Sequence, residues 1–249
     1  MKRIRTECYL VGLTGQTGAG KTTVSRILES DDIAIINADT VARQVVEKGT
    51  PCLEALHRVF GDAILLPDGQ LNRKAVAALI FGNEKARAHY QALIFPYITR
   101  AIRQQTEQLA AQGFRIILLD APTLFESGIH RFCHAVISVI APQEIRKSRI
   151  MQRDRLTESQ ALQRMNAQHS ESFFRSHSDA VIENNGTEAV LHTAVRNIIR
   201  QLRQKAEAHQ KIMSVHKEDI RIMESKDKVK ALKESLLMKK QNAGLLLDD

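Results

Sequence analysis

The string Gly15-Gln16-Thr17-Gly18-Ala19-Gly20-Lys21-Thr22 constrains this chain more than any other feature, because it matches G-x-x-x-x-G-K-[ST] at every position. At average residue frequencies such a string arises by chance in roughly 1 in 100 chains of this size, so its surroundings decide what it means. An apolar run, Tyr9 to Leu13, precedes it, and the spacing predicts a helix over Thr22 to Glu29 after it. Strand, glycine loop and helix in that order make a cradle in which backbone N–H groups converge on one set of phosphates and glycines keep side chains out of the approach. The expected contacts to magnesium ATP are the backbone of Gly15, Gly18, Ala19 and Gly20, the Lys21 ammonium on the β and γ phosphates, the Thr22 hydroxyl on magnesium, and Thr23 facing the α-phosphate. A glycine turn before an ordinary helix is the competing reading.

Five short apolar runs set the layout: Cys8 to Thr14, Ile33 to Asn37, Arg115 to Asp120, Ala135 to Ile140 and Ala180 to Glu183. They are apolar throughout instead of alternating, as strands covered on both faces are. With 43% apolar residues but only 4% aromatic and no Trp, the core is built from Leu, Ile, Val and Ala. Helical patterns separate the runs, which predicts an α/β fold whose parallel sheet takes ligands at the C-terminal ends of its strands. Between the second and third runs lie about 75 residues with helical spacing, including Leu53 to Phe60, Arg73 to Phe81 and Ala86 to Ala111, with a Pro67-Asp68-Gly69 turn. That is too long for a crossover and predicts a helical subdomain. The expected division is a catalytic domain over 1–204 (core 8–48 and 114–204, insertion about 49–113, a further charged helical segment about 144–175) and a charged helical tail over 205–249.

A formal net charge of +8 favours anionic partners without choosing among them. Cys8, Cys52 and Cys133 lie far apart without metal-ligand spacing, which predicts a reduced, cytoplasmic protein. Lys2, Arg3 and Arg5 precede an apolar run too short for a signal peptide, and no stretch of about 20 apolar residues is present to span a membrane. In the tail, Val215, Ile222, Val229 and Leu236 recur every seven residues, but Asp219, Lys226 and Lys233 fill the matching second positions, a half-seam that argues against a stable coiled coil.

No N-K-x-D string occurs, so a guanine-specific switch is not expected. Asp39 ends the Asn37-Ala38-Asp39 string at the C-terminal end of the second run, with Arg43 one helical turn further. A carboxylate there can orient an acceptor hydroxyl and take its proton, and Arg43 can hold an acceptor phosphate; equally, Asp39 can cap the helix Thr40 to Glu47. Asp120, ending the third run, is placed to hold magnesium, often through water, or to cap the following turn. The arginines at 146, 149, 153, 155 and 164 read either as a solvated helix face or as a source of phosphate contacts.

From about Leu10 to Leu202 the chain resembles the dephospho-coenzyme A kinases. The matching strings are Gly12-Leu13-Thr14-Gly15, Ala38-Asp39 with Arg43, Asp120-Ala121-Pro122 with Leu124-Phe125-Glu126-Ser127-Gly128, Arg149 with Arg153-Asp154, Gln168, and Val181-Ile182 with Asn184-Asn185-Gly186. The resemblance implies a P-loop kinase fold with a five-stranded parallel sheet, an acceptor-binding helical insertion and a mobile helical lid. It implies transfer of the ATP γ-phosphate to the ribose 3'-hydroxyl of dephospho-coenzyme A, with Asp39 as base, Arg149 and Arg153 closing onto ATP, and Asn184 and Gly186 near the adenine. Three positions depart from the family pattern: Gln16 replaces a glycine, Thr123 a leucine, and Phe95 a histidine. A kinase of another acceptor, such as a nucleoside monophosphate, and a non-catalytic ATP-dependent binding module remain the alternatives. The second would use the basic surface on RNA or protein, yet no recognised nucleic-acid module or stacking-aromatic pattern is present.

Overall fold

The computed structural model describes residues 8–30 and 32–215. Five strands, β1 (Tyr9–Gly15), β2 (Ile33–Asn37), β3 (Ile116–Asp120), β4 (Ala135–Ile140) and β5 (Ala180–Glu183), form one sheet in the order β2-β3-β1-β4-β5. All four pairings are parallel. Every residue of β1, β3 and β4 is buried, which is why their sequences are apolar without alternation.

Successive strand residues nevertheless serve opposite layers. Val11, Leu13, Ile116, Leu118, Ile137 and Val139 join α1 (Lys21–Leu28) and a late helix, α9 (188–206), through Val24, Leu28, Leu191 and Val195. Leu10, Ile117, Leu119 and Val136 face the other way, onto Val41 of α2 (Ala38–Gln44), Ile102 of α5 (Glu84–Ala111), Leu124 and Ile129. Helices cover both sheet faces, the three-layer arrangement expected of a parallel sheet.

The insertion comprises α3 (Pro51–Phe60), α4 (Arg73–Ile80) and α5. Each start is capped: Thr50 accepts from the Leu53 N–H at 3.3 Å, Asn72 from Ala75 at 3.1 Å and Asn83 from Ala86 at 3.0 Å. These helices enclose their own apolar cluster around Leu53, Leu56, Ile64, Val76 and Ile94. The charged segment after β4 is three helices, α6 (Gln143–Asp154), α7 (Glu158–Asn166) and α8 (Glu171–His177). Breaks fall where Arg155 turns into the left-handed region at φ 53, followed by a Thr157–Gln160 capping box, and where Ser170 caps α8.

All three cysteines are buried and none is in a disulfide. No helix among the described residues is long and apolar enough to cross a membrane. The chain divides into two units after Ala206. Residues 207–215 of the second are helical and Val215 is exposed; Ile222, Val229 and Leu236 lie outside the described residues.

Candidate active site

Strand register brings the candidate residues to one edge of the sheet. Asp120 lies beside Leu13 on one side and Asn37 on the other, and Gly15 lies beside Val139. β1 leads to β2, two positions away, while β4 lies on its other flank; ligands enter such a crevice where strand order reverses.

The loop between β1 and α1 is arranged around its amides. Gly20, at φ 92 and ψ 27, turns the chain into α1 with no side-chain cap on the helix start. The Gln16 and Ala19 N–H groups donate to Val139 and Gln16 carbonyls, both at 3.0 Å, and Thr17 donates to Gln168 Oε1 at 2.7 Å. The amides of Gly18, Gly20, Lys21 and Thr22 find no acceptor among the described residues. They form an anion-binding set at a helix N-terminus, where the backbone dipoles also favour negative charge.

Other elements hold this loop from behind. Asn184, buried just past β5, donates from Nδ2 to the Ala19 carbonyl at 2.8 Å, and a Cβ on Gly20 would run into that amide. A Cβ on Gly18, at φ 76, would come within 2.7 Å of the Arg146 carbonyl. Arg149 Nη1 reaches the Gly18 and Ala19 carbonyls at 3.4 and 3.3 Å. Arg146 is buried and donates from Nε to Ala141 O at 3.0 Å; burial pulls its pKa below the usual value. Arg153 points elsewhere, bidentate on Asp154 at 2.8 and 2.9 Å, and Arg164 meets the same carboxylate at 2.6 Å. Gly186 sits in the turn before α9, close to Val190. The Gln16 side chain is buried, and its Oε1 has no partner among the described residues.

Lys21 pairs with Asp120, a buried carboxylate, so the loop's cation is neutralised within the site. Among the described residues only Oδ1 of Asp120 is engaged. The Thr22 and Thr23 side chains are exposed. On the other flank, Asn37 Oδ1 accepts from Thr40 N–H at 2.9 Å and is the cap of α2. Asp39 therefore does not cap; it lies in the first turn, exposed, with no partner among the described residues, and Arg43 is likewise exposed one turn on. The helix starts two residues before the expected Thr40 because β2 ends at Asn37, leaving that side chain, not Asp39, in reach of the first free N–H groups.

The segment after β3 is tied to α8 by aromatic contacts. Phe125 meets Phe173 edge-on at 5.2 Å, Phe173 lies stacked between His169 and His177 at 3.8 and 4.0 Å, and Glu126 faces His169 at 3.6 Å. Gln168, at the other end of the same turn, is the acceptor for Thr17.

The dephospho-CoA kinase family model matches residues 9–190 of this sequence. The chain belongs to the dephospho-CoA kinase family. It is 35% identical over 187 residues to the dephospho-CoA kinase of Bacillus licheniformis, covering 74% of this chain and 93% of that protein. To the dephospho-CoA kinase of Arabidopsis thaliana it is 34% identical over 194 residues, 78% of this chain and 84% of the relative. Among solved structures, the Thermus thermophilus protein TT1252 superposes with a TM-score of 0.66 at 29% identity, covering 79% of this chain and 99% of the other. A dephospho-CoA kinase from Campylobacter jejuni shares the fold at a TM-score of 0.52 and 22% identity, over 79% and 98% of the two chains. Gln168 is the brace of the loop that local patterning misses: it lies 151 residues from Thr17 and only the family string singled it out.

Proposed function

We propose that the protein transfers the γ-phosphoryl group of ATP to the ribose 3'-hydroxyl of dephospho-CoA, giving CoA and ADP, the last step of CoA synthesis. The observation that carries this reading is the occurrence, at one sheet edge, of four loop amides and a carboxylate, Asp39, all without partners among the described residues, in a chain of this family.

ATP phosphates occupy the amides of Gly18, Gly20, Lys21 and Thr22, with Gly15 and Ala19 completing the loop, and Lys21 exchanges Asp120 for the β and γ oxygens. Thr22 and Thr23 lie where the phosphates enter α1. The Thr22 hydroxyl and the unengaged Asp120 Oδ2 suit magnesium, which binds through one or two protein oxygens and completes its shell with phosphates and water. When bound, the ion neutralises charge on the triphosphate.

Asp39 accepts a hydrogen bond from the acceptor hydroxyl, aims its oxygen at the γ-phosphorus and takes the proton as the new P–O bond forms and the bond to the β-phosphate oxygen breaks. Arg43 holds the acceptor's own phosphates. Arg149 exchanges the loop carbonyls for the departing charge, with Arg153 reaching ATP on closure of residues 144–175, and Asn184 and Gly186 border the adenine. Closure excludes water, which would otherwise compete as acceptor. The insertion, 49–113, contributes the acceptor side, and 205–249 form an appended charged tail. A cytoplasmic setting accords with three cysteines outside any disulfide, and no specific nucleic-acid or membrane partner enters the reaction.

The test is incubation of the protein with magnesium ATP and dephospho-CoA, followed by product mass. Gain of one phosphoryl group on dephospho-CoA, and none on nucleoside monophosphates, is the expected outcome. Phosphorylation of a nucleoside monophosphate instead would reassign the acceptor.

A further inference from the structure

Two neighbouring side chains in the turn between α7 and α8 serve different parts of the site. Gln168 accepts the Thr17 N–H of the phosphate loop at 2.7 Å, across 151 residues of sequence. His169, the next residue, faces Glu126 of the segment after β3 at 3.6 Å. Thr17 lies between Gln16, whose N–H is held by the Val139 carbonyl at 3.0 Å, and Gly18, whose amide has no acceptor among the described residues. The peptide that Gln168 anchors therefore comes immediately before the amides offered to phosphate. Its orientation passes on to theirs, because each peptide unit is a rigid plane.

The turn spans residues 167–170. At its start the Gln168 N–H donates to the Met165 carbonyl at 3.2 Å, and at its end Ser170 opens α8 by accepting from the Phe173 N–H at 3.2 Å. His169 stands one position before that cap. Its ring stacks on Phe173, with centroids 3.8 Å and planes 14° apart, and meets Phe174 edge-on at 6.3 Å. A side chain that packs from this position onto the first turn of a helix fixes the angle at which the chain enters it. Phe173 is itself held, stacked on His177 at 4.0 Å and met edge-on by Phe125 at 5.2 Å, and Phe174 is buried. The Glu126 contact is partly exposed on both sides and adds little, so the rings carry the anchorage.

We infer that His169 is a positioning residue for ATP binding: by pinning the chain where it enters α8, it keeps Gln168 against Thr17 and so keeps the loop amides aimed at the phosphates. This role rests on the reading of the loop as the ATP-phosphate site. The Gln168 side chain is long and unbranched, so a small rotation of the turn at its root carries its amide beyond hydrogen-bond range, about 3.2 Å. Loss of the His169 ring frees that rotation. The effect reaches the nucleotide through Gln168 and by no contact of His169 itself.

The experiment is a double-mutant cycle read by calorimetric titration of the full chain with magnesium ATP. His169→Ala is expected to weaken binding about three- to tenfold, the worth of one ring pair, and Gln168→Ala about tenfold, the worth of one hydrogen bond whose donor is left unpaired. In the Gln168→Ala background, His169→Ala adds less than about twofold, because the two residues act as one unit. His169→Phe, which keeps a ring on Phe173, binds within about twofold of wild type. A residue that served overall stability alone would weaken binding by the same factor in both backgrounds, and that result overturns the inference. So does His169→Ala binding within about twofold of wild type, or His169→Phe losing as much affinity as His169→Ala. If His169→Ala does not fold, His169→Gln, which fills similar space without a ring, replaces it with the same criteria. Wild-type protein that binds no magnesium ATP refutes the nucleotide reading of the loop; wild-type binding that His169→Ala leaves intact refutes the positioning role alone.

Discussion

Replacing Asp39 by Asn keeps the shape of the side chain and removes its ability to take a proton, at a position where the structure assigns it no other task. Its carboxylate is exposed, with no partner among the described residues, and the cap of α2 is Asn37. The stability cost is then confined to losing one negative charge from a helix first turn, about 0.3–1 kcal/mol. Turnover falls by roughly 100- to 10,000-fold, the range for a positioned base, which corresponds to about 3–5 kcal/mol on the barrier. ATP affinity stays within about twofold, because the nucleotide is held by backbone amides on the other side of the site. The assay is a coupled ADP-release measurement at saturating dephospho-CoA, with ATP binding and thermal melting on the same protein. Asn37→Ala is the complementary control: losing the cap costs about 1 kcal/mol, which lowers Tm by about 2–4 °C in a chain of this size. Turnover of Asp39→Asn within about threefold of wild type refutes the reasoning, and so does a Tm loss in Asp39→Asn clearly larger than that of Asn37→Ala.

Gly20→Ala places a Cβ in the left-handed region and against the Asn184 amide; at least about 1–2 kcal/mol of strain weakens ATP binding tenfold or more, read by nucleotide titration. Asp32 is held down to about 2 from an ordinary 3.8, chiefly by its hydrogen bond from Arg203, with Ser30 and Arg115 adding to it against the opposing effect of burial. A lowered carboxylate pKa contributes stability above the unfolded value and loses it as pH falls from about 4 through about 2, so Asp32→Asn flattens the acid limb of the stability profile; with Arg203 half in solvent, the effect is about 1 kcal/mol. Burial pushes the Cys52 thiol up to about 11 and the Cys133 thiol up to about 12. Neither is expected to react with a disulfide reagent at pH 8 until the protein is denatured, and rapid native-state labelling of either would contradict that burial.

The strands were legible because burial on both faces leaves a strong compositional trace. Ile33–Asn37, Ala135–Ile140 and Ala180–Glu183 fall where the apolar runs predict, and β1 and β3 shift by a single residue at their ends. The choice between Asn37 and Asp39 as cap was not legible, since both residue types cap well and the outcome depends on where β2 releases the chain. Contacts between distant segments left no local pattern at all. Lys21 meets Asp120, Thr17 meets Gln168, and Ala19 meets Asn184, at separations of 99, 151 and 165 residues. The resemblance places Asn184 near the adenine; the bond of its amide to the loop backbone was not legible from it.

Those separations have a consequence for how the protein matures. The glycine loop spans residues 15–22, yet the strand β4 that flanks it, the arginine helix behind it and the asparagine beneath it are all supplied from residue 135 onward. A nascent chain released before residue 135 contains the whole glycine loop and still lacks all three of these supports. The loop thus takes its shape only after segments more than a hundred residues downstream have been made and have folded against it.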